Sequence, residues 1–289
     1  IADVKRLILD EADEMLHMGF RDELNAILEY MPIARQSLLF SATMSKEVAA
    51  IAAEYLNEPE KITIGVQNAG AENIQHIYYQ VHETDRYAAL KRIADINPDI
   101  YGIVFCRTRR ETKEIADKLI KDGYNADALH GDLSQSQRDH VMKRFRERSL
   151  QMLVATDVAA RGLDVHNISH VINYKLPEEL EVYTHRSGRT GRADKSGVAI
   201  SIINYREVSR IARIEKIIRK KCVKQPVPGG PEICRKQLFN MIDKMEKAQV
   251  DEAQIEPFMS EVNKKLEWLS KEEIIKHFVS TEFNRFLDY

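Results

Sequence analysis

The stretch RLILDEADEML, residues 6–16, decides how the chain is read. An apolar run, Leu7 to Leu9, leads into the acids Asp10, Glu11 and Asp13, and helical spacing follows through Leu16, Phe20, Leu24, Ile27 and Leu28. A short apolar run suits a buried strand, and apolar residues every three to four positions suit a helix face. Residues 4–64 keep this alternation: VKRLILD as a strand, DEMLHMGFRDELNAILEYM as one helix, QSLLFSAT as a second strand, KEVAAIAAEYL as a second helix and EKITI as a third strand. Strands alternating with helices predict a parallel sheet with helical crossovers.

Working outward, GVQNAGAEN (65–73) is small, polar and glycine-containing and reads as a linker. Residues 74–224 carry a second, complete α/β pattern. Strands are expected at IQHIYYQV, YGIVFC, YNADALH, LQMLVAT, ISHVINY and GVAISII, with helices near 85–96, 109–121, 135–147, 178–187 and 206–219. A doubly wound domain of this kind binds its ligand beyond the carboxyl ends of its strands. The segment QPVPGGPE (225–232) breaks the pattern, and residues 233–289 show only helical stripes, such as Leu238, Ile242 and Met245.

Composition sets the outer limits. The 289 residues carry a formal net charge of −2 and three cysteines, too few and too scattered for a disulfide framework or a zinc site. The longest apolar runs are only a few residues, far short of a membrane span, so the expected setting is the cytoplasm. Net acidity alone argues against nucleic acid, yet basic residues cluster locally at CRTRRETK, RDHVMKRFRER, HRSGRTGR and RKKCVK. Phosphate contacts depend on such clusters rather than on the total.

Asp10, at the end of a strand, is placed to hold Mg²⁺ through its water shell, and Glu11 to polarise a water; the bland alternative is that the acids favour the helix dipole. SAT (41–43) ends the next strand on the same rim. ATDVAARGLDV (155–165) ends another, and HRSGRTGR (185–192) spaces Arg186, Arg189 and Arg192 three apart, with a glycine between each pair. A guanidinium that cannot lose its charge suits a transferring phosphate.

In this order and spacing the motifs resemble the DEAD-box family of ATP-dependent RNA helicases, within superfamily 2. The matching residues are DEAD at 10–13, SAT at 41–43, IVFCRT at 103–108, HGDLSQSQRD at 130–139, ATDVAARGLDV at 155–165 and HRSGRTGR at 185–192. The resemblance implies RecA-like domains: a partial first domain at 1–64, the linker at 65–73, a complete second domain at 74–224 and a helical extension at 225–289. It implies ATP and Mg²⁺ as cofactors, with Asp10 on the metal, Glu11 on the hydrolytic water, Asp164 on the ribose, and Arg189 and Arg192 as arginine fingers. Asp13, Ser41 and Thr43 would meet the second domain through His185 and Arg186. RNA would be gripped along its backbone by Arg107, Thr108, Gly131, Gln135, Arg138 and Thr156, with little sequence preference.

The family's phosphate-binding loop, ending Gly-Lys-Thr or Gly-Lys-Ser upstream of the acids, has no counterpart, because the sequence contains no Gly-Lys dipeptide. The chain is therefore read as an N-terminally truncated helicase, expected to be inactive alone. The alternative reading is a non-catalytic RNA-binding and dimerisation module; a DNA translocase is disfavoured by the literal DEAD and SAT. The tail resembles the dimerisation region of cold-shock-type bacterial members, which implies a homodimer through 231–289.

Overall fold

The computed structural model describes residues 1–289 except 2, 18, 45, 64–72, 161–162, 164, 166, 192–194 and 284–289. The linker expected at 65–73 lies outside the described residues apart from Asn73.

The first unit contains β1 (Arg6–Leu9), α1 (Ala12–His17), α2 (Arg21–Leu28), β2 (Gln36–Leu39) and α3 (Lys46–Tyr55). β1 and β2 pair in parallel, Arg6 opposite Gln36 and Leu9 opposite Leu39. Side chains alternate along a strand, so Leu7 and Leu9 enter a small core with Leu24 while Ile8 is 59% exposed. Two expectations are corrected here. The single helix over 13–31 is broken at Gly19, whose φ of +74° no helix interior accepts. The strand at 60–64 does not form over 60–63: among the described residues no ladder partner lies beside it, and Ile62 is 78% exposed.

The second unit is a seven-stranded, all-parallel sheet. In chain order it comprises β3 (Ile74–Gln80), α4 (Arg86–Ile96), β4 (Gly102–Phe105), α5 (Arg109–Lys121), β5 (Ala126–Leu129), α6 (Gln135–Arg146), β6 (Met152–Ala155), α7 (Asp157–Ala160), β7 (His170–Asn173), α8 (Val182–Ser187), β8 (Gly197–Ile203), α9 (Val208–Ile218) and β9 (Val223–Gln225). The spatial order is β5-β6-β4-β7-β8-β3-β9. Apolar residues cover both faces, as a parallel sheet requires: Val104, Val154, Leu90 and Leu119 on one, Ile103, Leu153, Phe145 and Val171 on the other. A third cluster buries Tyr183, Ile203, Ile211, Ile214 and Ile218 under α9. The edge strand β9, in register with Ile77 to Tyr79 of β3, was not foreseen, because VKQ has no apolar alternation.

The extension forms α10 (Gly230–Glu246), α11 (Glu252–Leu266) and α12 (Lys271–Phe283). α10 is seated on the sheet domain: Ile233 is fully buried, Gln237 donates to the carbonyl of Asp95, and Lys244 lies 3.1 Å from Asp99. No described side chain of α11 or α12 is buried, so the stripes at Phe258, Val262, Ile275 and Phe278 face outward.

Candidate active site and nucleic-acid interface

The two α/β units meet at α1 and α8. Asp13 is 3% exposed and spends one oxygen, Oδ2, on three partners. The N–H and Oγ1 of Thr43 donate to it at 2.8 and 2.6 Å, and His185 Nε2 lies 3.2 Å away. The opposite ring nitrogen, Nδ1, is 3.6 Å from Glu14. Burial pushes the Asp13 carboxyl up, but the hydrogen bonds from His185 and Thr43 outweigh it and hold the group far below the usual carboxylate range. Burial pulls the His185 pKa down, and here Asp13 wins, with Glu14 helping, so the imidazole titrates above its ordinary value. Ser41 shapes the loop by donating to the carbonyl of Thr43 at 2.6 Å.

Asp10 and Glu11 follow β1 directly. Asp10 is exposed and accepts at Oδ1 from the Glu11 N–H at 2.9 Å. Glu11 holds a φ of +51°, a left-handed conformation that a non-glycine residue adopts only at a cost, and such strain gathers at working sites. Arg189 reaches across from the second unit to within 3.7 Å of Glu11 Oε1. Asp164 and Arg192 lie outside the described residues.

Arg186 does not join this meeting. It is 1% exposed and turned into its own domain. Nε and Nη2 grip both oxygens of Asp157 at 2.5 and 2.7 Å, and Nη1 donates to Asn173 Oδ1 and to the carbonyl of Lys175. The guanidinium also stacks 4.9 Å from the Phe105 ring. It is a strut joining α8 to the ends of β4, β6 and β7, not an interdomain contact. The signal for its neighbour His185 was the motif, and Asp157 stands inside ATDVAARGLDV without having been singled out; for Asn173 and Glu14 the sequence offered none.

The residues expected to touch RNA stand on the rim of β5, β6 and β4, which are adjacent strands. Thr108 is the N-cap of α5, accepting from the Glu111 N–H at 3.2 Å, and Thr156 plays the same part for α7 through Ala159. A Cβ at Gly131 would come within 3.2 Å of Arg109 Nε, on a guanidinium that Asp132 holds through Nη1 at 2.7 Å. Gln135 is exposed and donates to Asp139. Arg138 ties α6 to the carbonyl of Ala159 at 2.8 Å, and Arg107 ties the rim to the carbonyl of Leu176 at 2.8 Å. An open groove of about 1020 Å³ runs past Arg107, Thr108, Glu111, Lys175 and Glu178.

These units are RecA-like α/β folds with a helical extension behind them. Residues 1–51 match the family described as DEAD/DEAH box helicase, 85–194 the helicase conserved C-terminal domain, and 233–289 the helical domain of a probable ATP-dependent RNA helicase. The DEAD-box ATP-dependent RNA helicase CshA of Geobacillus kaustophilus is 42% identical over 247 residues, covering 83% of this chain and 53% of that protein. CshA of Listeria monocytogenes is 41% identical over 249 residues, 86% of this chain and 48% of its own. The chain thus spans about half the length of the curated relatives it matches. Among solved structures, the E. coli DEAD-box protein SrmB bound to regulator of ribonuclease activity A is 33% identical, with 54% of this chain and 92% of that chain covered and a TM-score of 0.50. S. cerevisiae Dbp5 bound to RNA and ADP BeF3 aligns at a TM-score of 0.74 and 29% identity, over 82% of this chain and 64% of that one. The chain belongs to the DEAD-box helicase family. Among the described residues, no helix is long and apolar enough to cross a membrane.

Proposed function

We propose that this chain carries part of a cytoplasmic ATP-dependent RNA helicase, which couples ATP binding and hydrolysis to local opening of RNA duplexes. One observation carries the reading: Glu11 and Arg189, from different α/β units, flank the same space beside the Asp13–His185 contact. A γ-phosphate bound there would part this ion pair, with the carboxylate left to orient water and the guanidinium to take up charge. Arg192 and Asp164 are assigned to the same nucleotide by the family motif.

The donor set suits Mg²⁺. Asp10 offers an exposed carboxylate next to Glu11, and among the described residues no group of three or more acids, histidines or cysteines forms a protein cage. Magnesium keeps several waters and takes one or two carboxylates plus substrate phosphates. When bound, it would neutralise charge developing on the phosphates. Asp13, Thr43 and His185 hold the two units in register, so that Arg189 reaches the first unit. Arg107, Thr108, Gly131, Gln135, Arg138 and Thr156 form the RNA-backbone contact on the second unit. The outward stripes of α11 and α12 favour a homodimer through 231–289.

The test restores a phosphate-binding loop. The segment preceding the DEAD acids in the Geobacillus relative is joined to Ile1, and ATP turnover is followed with and without RNA. RNA-stimulated turnover that Glu11→Gln abolishes is expected, against none for the 289-residue chain by itself. A fusion that binds ATP and RNA yet never hydrolyses would leave only the non-catalytic module. Replacing the RNA by a 2′-deoxy strand should weaken binding.

A further inference from the structure

The basic segment RKKCVK lies away from the strand rim that grips RNA, and the structure gives it a continuation. Residues 206–224 hold eight arginines and lysines against two acids, in a chain whose net charge is −2. Both acids are engaged. Glu207 lies 2.8 Å from Arg86 and 3.6 Å from Arg107, while Glu215 accepts from the Cys222 N–H at 2.8 Å and from Lys221 at 3.2 Å.

Helical spacing lines the cations up. Arg206, Arg210, Arg213, Lys216 and Lys220 recur every three to four residues, which puts them on one face from the start of α9 to just beyond its end. Ile211, Ile214 and Ile218 take the opposite face into the core. At the upper end the stripe joins the rim already described. Arg210 donates to the carbonyls of Pro177 and Glu178, which line the groove beside Arg107, and Glu207 lies 3.6 Å from Arg107. At the lower end the chain turns at Arg219, φ +55°, and opens a groove of about 310 Å³ lined by Lys216, Arg219, Lys220 and Lys221, with Ala212 and the engaged Glu215.

Like charges three and four apart on a helix repel, so the row is unfavourable until an anion runs along it. We propose that the outer face of α9, from Arg206 to the groove at Lys216–Lys221, is a second RNA-backbone track that carries a strand onward from the rim at Arg107. An acidic protein partner fits less well. A protein interface needs an apolar centre, and the isoleucines of α9 are turned inward. The inference rests on the RNA-binding reading above. Eleven helical residues rise about 16 Å, which roughly five nucleotides cover at about 3.4 Å each.

Length therefore separates the two contacts. Fluorescence anisotropy with the 289-residue chain would compare a 6-mer and a 20-mer of oligouridine over a salt series, for the wild type and for Arg213→Gln/Lys216→Gln/Lys220→Gln. Three lost phosphate contacts should lower the salt slope for the 20-mer by about 2 and weaken it on the order of tenfold, leaving the 6-mer unchanged. Equal melting of both proteins controls for folding. An unchanged 20-mer slope, with the 6-mer still bound, overturns the track and spares the first RNA contact. Loss of both lengths by the wild type overturns both readings. Polyglutamate displacing the 20-mer from the wild type but not binding the variant would give the stripe to an acidic protein, against the proposal.

Discussion

His185 Nε2 lies 3.2 Å from Asp13 Oδ2, and this pair, on α8 and α1, is the shortest charged link between the two α/β units among the described residues. Its pH dependence follows from two opposite shifts. Asp13 is held low and stays ionised well into acid, so it does not limit the contact near neutrality. His185 is raised above 6.5, so the stabilisation from its protonated form is fully present below about 6.5 and is lost as pH climbs through the raised value. Fluorophores on the two units should report docking at pH 6 and loosening toward pH 9. His185→Gln should abolish the pH dependence, whereas docking that is flat with pH in the wild type would refute it.

Arg186→Ala should cost stability rather than docking. The guanidinium is buried and shared among Asp157, Asn173 and a carbonyl, and removing one partner of a buried pair leaves the other charge stranded. The penalty is about 3–5 kcal/mol, enough to lower the melting temperature on the order of 10 °C. Arg189→Ala, by contrast, removes an arm that reaches Glu11 at 3.7 Å and should melt close to the wild type. Comparable melting of both variants would mean that Arg186 is not the strut described here.

Arg186 also shows where reading the sequence stops. HRSGRTGR announced three arginines of one spacing, but direction belongs to packing, and only Asp157 and Asn173 decide that Arg186 turns inward. Strands β4, β6 and β8 were legible because apolar residues fill them between polar turns, and α5 because Thr108 and Lys121 mark its ends. β9 was not, since an edge strand needs a ladder and not an apolar pattern. The break at Gly19 was hidden inside a sound helical period: one left-handed glycine outweighs the stripe around it. Over 60–63 the apolar alternation was present, but no strand among the described residues pairs with it.

Core size predicts an uneven distribution of stability. The first unit centres on Leu7, Leu9 and Leu24, with Ile8 and Phe40 exposed beside them, while the second buries both faces of seven strands. Local opening follows such differences. Amides of β1 and β2 should exchange hydrogen well before those of β4, β6 and β7, by a factor of at least about a hundred, equivalent to roughly 3 kcal/mol. Equal protection across both sheets would show that the units open as one.

The outward stripes of α11 and α12 lead to a measurement of mass. Phe258 is 67% exposed; Val262, Ile274, Ile275 and Phe278 along the two helices are exposed as well, as is Trp268 between them at 74%, an apolar load that isolated surface residues do not explain. A twofold copy of this surface would bury it against itself. Light scattering over a concentration series should show the mass doubling, and Phe258→Glu/Phe278→Glu should hold the chain at one copy without changing the melting of the sheet domain. Removing 231–289 should have the same effect on mass, although it also strips α10 from its place against α4. A single-copy mass at every concentration in the wild type would mean that these helices do not pair with themselves, and the homodimer assignment would fall.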